Sequence, residues 1–209
     1  MKINEIFYSI QGEGKWIGLP NIFIRTTGCN LRCEYCDTKY AYYQGKNMKV
    51  KEIEDEISEY PCKNICITGG EPLLQKDITE LIKKLKTKKY NLLIETNGSK
   101  DIKKIKQFKT LIVSLDIKCP SSKMHKKMKL KNIDLLNGRD QIKFIVKNEK
   151  DYVYAKKILQ EYQIDCKTYI QPVWGEKYQK FAEMIKRDGL NARLGIQLHK
   201  ILWKNEKGV

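Results

Sequence analysis

Histidine is nearly absent from this sequence, which has only His125 and His199, and arginine supplies just five of its 41 basic residues. The first scarcity starves a zinc module of ligands, because neither histidine stands in a pair at zinc-finger spacing. The second argues against a nucleic-acid reader. Base and phosphate recognition favours the planar guanidinium fork, whereas the net charge of +16 comes from lysines spread along the expected helices, as at Lys83, Lys84, Lys86, Lys88 and Lys89. That pattern reads as a solvated surface rather than an RNA site. No apolar run approaches the roughly 20 residues of a membrane helix, and no apolar signal segment follows Met1. No Gly-, Ser- or Pro-rich linker or low-complexity run divides the 209 residues. The expectation is one soluble, cytoplasmic domain over residues 1–209, without a nucleic-acid or membrane partner.

Cysteine, by contrast, is present seven times. A disulfide framework is not the natural reading, since a chain of this length can build its own core. Three of the thiols, Cys29, Cys33 and Cys36, fall within eight residues, where one loop can aim them at one centre. A structural zinc site closes with four ligands, but a cubane iron–sulfur cluster held by three cysteines keeps one iron open for chemistry. The spacing C-x3-C-x2-C resembles the signature of radical S-adenosylmethionine (SAM) enzymes, in which SAM chelates the open iron. Cys62, Cys66, Cys119 and Cys166 have no such pattern and read as small buried hydrophobes.

Along the chain, Asn4 to Ser9 is a short extended piece ending in Gln11-Gly12-Glu13-Gly14. β-branched and aromatic runs then recur: Asn21 to Arg25, Asn64 to Thr68, Asn91 to Glu95, Leu111 to Asp116, Gln141 to Val146 and Lys167 to Pro172. Helical periodicity fills the intervals at Val50 to Tyr60, from Asp77 onward with a capping box between Asp77 and Glu80, around Asp151 to Tyr162, and from Glu176 to Asp188 with Gly189 as its stop. A last strand-like run, Ala192 to Leu198, leads to His199. Alternating strands and helices predict parallel pairing with right-handed crossovers. About six repeats are too few for a closed eightfold barrel of about 250 residues, so the expected fold is α/β, an open partial barrel of TIM type with about six parallel strands. Ligands collect at the C-terminal strand ends of such sheets, where Cys29, Gly69, Asn97, Lys118 and Gln171 all fall.

Three segments, Glu5 to Gly14, Phe23 to Thr38 and Thr68-Gly69-Gly70-Glu71-Pro72, supported by Gln197-Leu198-His199-Lys200, make the whole chain resemble the 7-carboxy-7-deazaguanine synthase family of radical SAM enzymes. The resemblance implies the radical SAM fold, a 4Fe–4S cluster on Cys29, Cys33 and Cys36, and Mg2+ on the Thr38 hydroxyl, a hard oxygen ligand suited to that ion. It implies SAM contacts from Tyr35, Cys36, Asp37, Gly69, Gly70, Glu71, Glu95, Ser114, Asp116, Lys118, Gln171, Pro172, Val173 and Trp174. Substrate contacts are implied for Ile10, Gln11, Gly12, Glu13, Arg25, Thr68 and His199. Arg25 suits a carboxylate or ring oxygen by its fork, and Glu13 suits an aminopyrimidine edge. The implied reaction is the lyase-type ring contraction of 6-carboxy-5,6,7,8-tetrahydropterin to 7-carboxy-7-deazaguanine with release of ammonia. It proceeds through a 5′-deoxyadenosyl radical and calls for an electron donor such as flavodoxin or ferredoxin, and a homodimer is expected. The segment Lys200 to Val209 continues past the point at which relatives bring a terminal carboxylate to the substrate. A small activase that generates a glycyl radical on a partner enzyme is the alternative, since it would share the three cysteines and the Gly-Gly-Glu-Pro element.

Overall fold

The computed structural model describes every residue of the chain except Asn205 and Lys207, so those two positions of the C-terminal segment lie outside the described residues. In chain order the elements are β1 (Lys2–Ile10), β2 (Pro20–Thr26), β3 (Lys46–Asn47), α1 (Val50–Ser58), β4 (Asn64–Gly69), α2 (Ile78–Thr87), β5 (Asn91–Thr96), α3 (Lys103–Lys106), β6 (Ile112–Lys118), β7 (Gln141–Val146), α4 (Glu149–Glu161), β8 (Lys167–Pro172), α5 (Tyr178–Arg187), β9 (Arg193–Leu194) and α6 (Leu198–Trp203). They form one nine-stranded sheet in the order β3-β1-β2-β4-β5-β6-β7-β8-β9. β1 runs antiparallel to β2 and to β3, and all other neighbours are parallel. The sheet therefore stays open, as its repeat count predicts, and gains an antiparallel wing from the N-terminus.

The parallel strands are apolar on the helix-facing side, and on the concave side only β2, β4 and β5 contribute to a buried apolar cluster. Their helix-facing side chains, such as Ile24, Ile67, Ile94, Leu115 and Phe144, join Ile53 and Ile57 of α1, Leu81 and Leu85 of α2, Tyr152 of α4 and Phe181 of α5 in one large core. The concave face holds only a small cluster, Phe23, Cys66 and Leu93, with Phe7, Trp16 and Ile112 packed against it. Side chains two residues apart share a face, so the positions immediately beyond this plug are Arg25, Thr68 and Glu95. Register places Arg25 beside Thr68, Asp116 beside Lys143 and Ile145 beside Gln171. The concave face thus changes from apolar to charged at one level, and that level is the floor of the site.

Two local expectations are corrected. Asp77 makes no side-chain cap on α2; its Oδ2 instead receives the Met1 amino terminus at 3.4 Å. The Ala192 to Leu198 run keeps only Arg193–Leu194 as a strand, because Leu198 turns its N–H to the Gly12 carbonyl at 2.9 Å and opens α6. Gly189 does end α5, at φ +56°, with Leu190 N–H returning to the Ile185 carbonyl. Among the described residues no helix is long and apolar enough to cross a membrane.

Candidate active site

A cavity of about 650 Å3 opens at the C-terminal ends of the parallel strands. Its wall takes Ile10, Gln11, Gly12 and Glu13 from the N-terminal loop, Arg25 from β2, and Cys29, Cys33, Tyr35, Cys36, Asp37 and Thr38 from the cysteine loop. Thr68, Gly69, Gly70, Glu95, Asp116 and Lys118 come from the ends of β4, β5 and β6, Gln171 to Trp174 from β8, and His199 from α6. Two expected SAM contacts stand apart from this wall. Glu71 is fully buried and accepts from Leu73 N–H at 3.0 Å, Thr96 Oγ1 at 2.8 Å and Asn97 N–H at 2.7 Å, so it builds the turn behind the cavity. Ser114 is also buried, one level below the floor, where its Oγ accepts from Gln141 Nε2 at 2.7 Å.

All three loop thiols are free and half-buried. Cys29 Sγ accepts from Leu31 N–H at 3.4 Å and from Asn97 Nδ2 at 3.6 Å, the kind of N–H···S contact that tunes an iron–sulfur centre. Burial pushes the Cys29 and Cys33 thiols up, so thiolates here call for a positive centre to hold them. No group of three His, Cys, Asp or Glu side chains among the described residues surrounds a single-ion site. Three free thiols on one cavity wall suit a cluster that needs three protein ligands better than a zinc ion that needs four.

Charge is dense below the thiols. Lys143 has only 3% of its side chain exposed, and its Nζ lies 2.8 Å from Glu13 Oε2, 3.3 Å from Asp116 Oδ1 and 3.5 Å from Glu95 Oε1. Burial opposes the ammonium charge, but Asp116, Glu13 and Glu95 outweigh it and raise the Lys143 pKa well above the usual lysine range. Asp116 also receives Lys118 Nζ at 2.9 Å; burial would raise its pKa, yet Lys118 and Lys143 hold it low. Thr68 Oγ1 donates to Glu95 Oε2 at 3.0 Å. On the same floor, Arg25 gives Nε to Glu5 Oε1 at 2.6 Å and lies between the rings of Phe7 and Tyr40. Among the described residues its terminal nitrogens carry no hydrogen bond. Gln11 Nε2 and both amide atoms of Gln171 are buried without a partner among the described residues, as groups kept for a ligand would be.

The ends of the chain complete the wall. A β-carbon on Gly12 would stand 2.0 Å from His199 Nδ1, so glycine is what lets α6 close on the N-terminal loop. Gln197 Nε2 donates to Glu13 Oε1 at 2.9 Å, and Lys200 Nζ reaches Asp37 Oδ2 at 2.9 Å. Thr38 Oγ1 donates to Asp37 Oδ1 at 2.8 Å. From the sequence Asn97 stands only as a strand-end position where ligands collect, Gln197 and Lys200 only as parts of a supporting motif, and Lys143 not at all. For Lys143 the signal was present: a lysine inside Gln141–Val146 with the same inward parity as Gln141 and Ile145.

Three thiols above a polar floor in an open parallel barrel define a radical SAM protein, and the family model described as the Radical SAM superfamily matches residues 23–187. The chain is 38% identical to the 7-carboxy-7-deazaguanine synthase of Thermoplasma acidophilum, covering 100% of both chains. It is 42% identical to that of Clostridium acetobutylicum, covering 100% of this chain and 99% of the other. The crystal structure of QueE from Escherichia coli shares the fold, with a TM-score of 0.77 at 24% identity over 95% of this chain and 94% of that one. The chain belongs to the 7-carboxy-7-deazaguanine synthase family of radical SAM enzymes.

Proposed function

We propose that the chain, acting as one domain over residues 1–209, converts 6-carboxy-5,6,7,8-tetrahydropterin to 7-carboxy-7-deazaguanine with release of ammonia. The observation that carries this reading is the meeting, on one cavity wall, of Cys29, Cys33 and Cys36 with Gln11, Glu13 and Arg25. Cys29, Cys33 and Cys36 would hold a 4Fe–4S cluster, which would supply the single electron for reductive cleavage of SAM. The remaining work belongs to the chain. Tyr35, whose hydroxyl donates to the Ile145 carbonyl at 3.2 Å, would offer its ring face to the adenine. Asp116, Lys118, Glu95 and the Gln171 to Trp174 segment supply polar and apolar contacts for SAM. Arg25 offers its unbonded terminal nitrogens to the substrate carboxylate, Gln11 its orphaned amide N–H, and Glu13 its carboxylate to the aminopyrimidine edge.

The Thr38 hydroxyl, with lone pairs left over after donating to Asp37, is the candidate Mg2+ ligand together with the substrate carboxylate. An electron donor such as flavodoxin or ferredoxin and a cytoplasmic setting go with the reaction, and seven free thiols support a reducing compartment. Open edges at β3 and β9 support a homodimer, because exposed strand edges are usually covered. An activase acting on a partner's glycine would have no use for the Gln11-Gly12-Glu13 loop in this wall.

The test is turnover of anaerobically reconstituted protein with SAM, Mg2+, reductant and the carboxylated tetrahydropterin. Both 5′-deoxyadenosine and the deazapurine should form. SAM cleavage that never yields deazapurine with this substrate would overturn the assignment.

A further inference from the structure

Glu13 is held from two sides, by Lys143, which no motif of the sequence marks, and by Gln197, whose part in its motif the sequence leaves open. Its Oε2 receives Lys143 Nζ at 2.8 Å, and its Oε1 receives Gln197 Nε2 at 2.9 Å. The two holders come from distant parts of the chain, Lys143 from β7 and Gln197 from the residue preceding α6. Both are buried, at 2% and 8% residue exposure. Lys143 cannot swing freely, because Asp116 and Glu95 flank its Nζ at 3.3 and 3.5 Å. It nevertheless makes its short contact with Glu13 alone among the three carboxylates. Gln197 is fixed in turn by the bond from Leu198 N–H to the Gly12 carbonyl.

A carboxylate has about four lone-pair positions. Lys143 and Gln197 occupy one on each oxygen, which leaves one on each oxygen for a ligand and fixes the plane in which they lie. That arrangement matches a pair of adjacent N–H donors, such as the ring N–H and 2-amino group of a 2-amino-4-oxopyrimidine. It repels an edge in which a carbonyl replaces the amino group. We propose that Lys143 and Gln197 are positioning residues that lock the Glu13 carboxylate so that the site selects 2-aminopteridines over their 2-oxo counterparts. The inference rests on the pterin reading given above, and it adds the residues that set the selectivity.

The test compares two unreactive fluorescent probes, 6-carboxypterin and 6-carboxylumazine, which differ at position 2 by amino against oxo. Each is titrated into cluster-loaded enzyme with SAM and without reductant, so that no turnover contributes. Wild type should prefer the pterin by roughly a hundredfold, the scale set by leaving buried polar groups mismatched. Gln197→Leu, which removes no buried charge, should cut that preference by about tenfold or more. Lys143→Met should cut it further. Loss of affinity for both probes by one common factor, or a preference kept in both variants, would show these residues to be merely structural and overturn the proposal while sparing the pterin reading. A wild type with no preference, or with no affinity for either probe, would overturn that reading and the proposal together.

Discussion

Gly70 approaches Gly28 so closely that a β-carbon on Gly70 would stand 2.1 Å from the Gly28 carbonyl oxygen. The same oxygen accepts the Glu71 N–H at 2.8 Å. The Gly-Gly-Glu-Pro element is therefore the bed on which the cysteine loop lies. Gly70→Ala should force the two backbones apart at a cost of about 1–3 kcal/mol, seen as a Tm lowered by several degrees, and should reduce iron per chain. A variant with full iron and the wild-type Tm would show that the loop is set by something else.

Cys33→Ala should abolish the cluster, because each of the three thiolates would supply one corner and no other described cysteine lines the cavity. Cys62→Ser and Cys166→Ser should keep full iron content, since neither residue lines the cavity. Iron analysis with the ultraviolet–visible spectrum of anaerobic protein decides both, and loss of iron in either serine variant would point to a second metal site.

The parallel strands were legible because runs such as Asn64 to Thr68 and Gln141 to Val146 carry β-branched residues on both faces, as strands covered on both sides must. The site was legible where short motifs at strand ends fixed direction, at Cys29 to Thr38 and Gly69-Gly70. What stayed hidden depended on contacts between distant segments. Glu71 sits in a motif yet turns away from the cavity, because three donors from Leu73, Thr96 and Asn97 capture it. Asp77 looked like a cap and was taken by the amino terminus. Gln197 acquires its part only when α6 folds back on Gly12, and no local periodicity encodes that closure.

Thr38→Ala should keep the cluster and SAM affinity while turnover loses its response to Mg2+, since under the proposed assignment it would remove one hard oxygen ligand and touch no thiolate. Titrating Mg2+ against turnover in wild type and variant tests it. Equal responses in the two proteins would remove Thr38 from the metal site.

Asp188 links α5 to α4, and its pH behaviour follows from its partners. Arg187 Nε at 2.9 Å and Lys156 Nζ at 3.0 Å hold its carboxyl down to about 2, below the usual value near 4. A depressed folded-state pKa contributes stability that is complete above the unfolded value and drains away as pH falls toward the folded one. The Tm gap between wild type and Asp188→Asn should therefore be constant from pH 7 to 5 and narrow from pH 4 downward. A gap that widens in acid would contradict the pairing.

Arg25 governs the last expectation, which concerns where the substrate is held. Its Nε is committed to Glu5, which also accepts the Tyr40 hydroxyl at 2.9 Å, so the guanidinium is oriented before any ligand arrives and its terminal edge remains for a carboxylate. Hydrogen transfer from carbon 6 of the pterin to the 5′-deoxyadenosyl radical needs heavy atoms about 3–3.5 Å apart, and under the proposed assignment the carboxylate attached to that carbon would be the group Arg25 anchors. Arg25→Ala should uncouple the enzyme. SAM should still be cut slowly, while deazapurine formation falls by more than about tenfold, or about 1.4 kcal/mol of lost placement. Arg25→Lys should recover little, because an ammonium keeps the charge but not the fork. Glu5→Gln should fall between, since it loosens the guanidinium without removing it. In wild type, deuterium at carbon 6 should appear in 5′-deoxyadenosine, and in Arg25→Ala the labelled fraction should drop along with product. If the variant instead loses SAM cleavage and product in equal proportion with labelling unchanged, Arg25 serves the site as a whole and not the pose of the substrate.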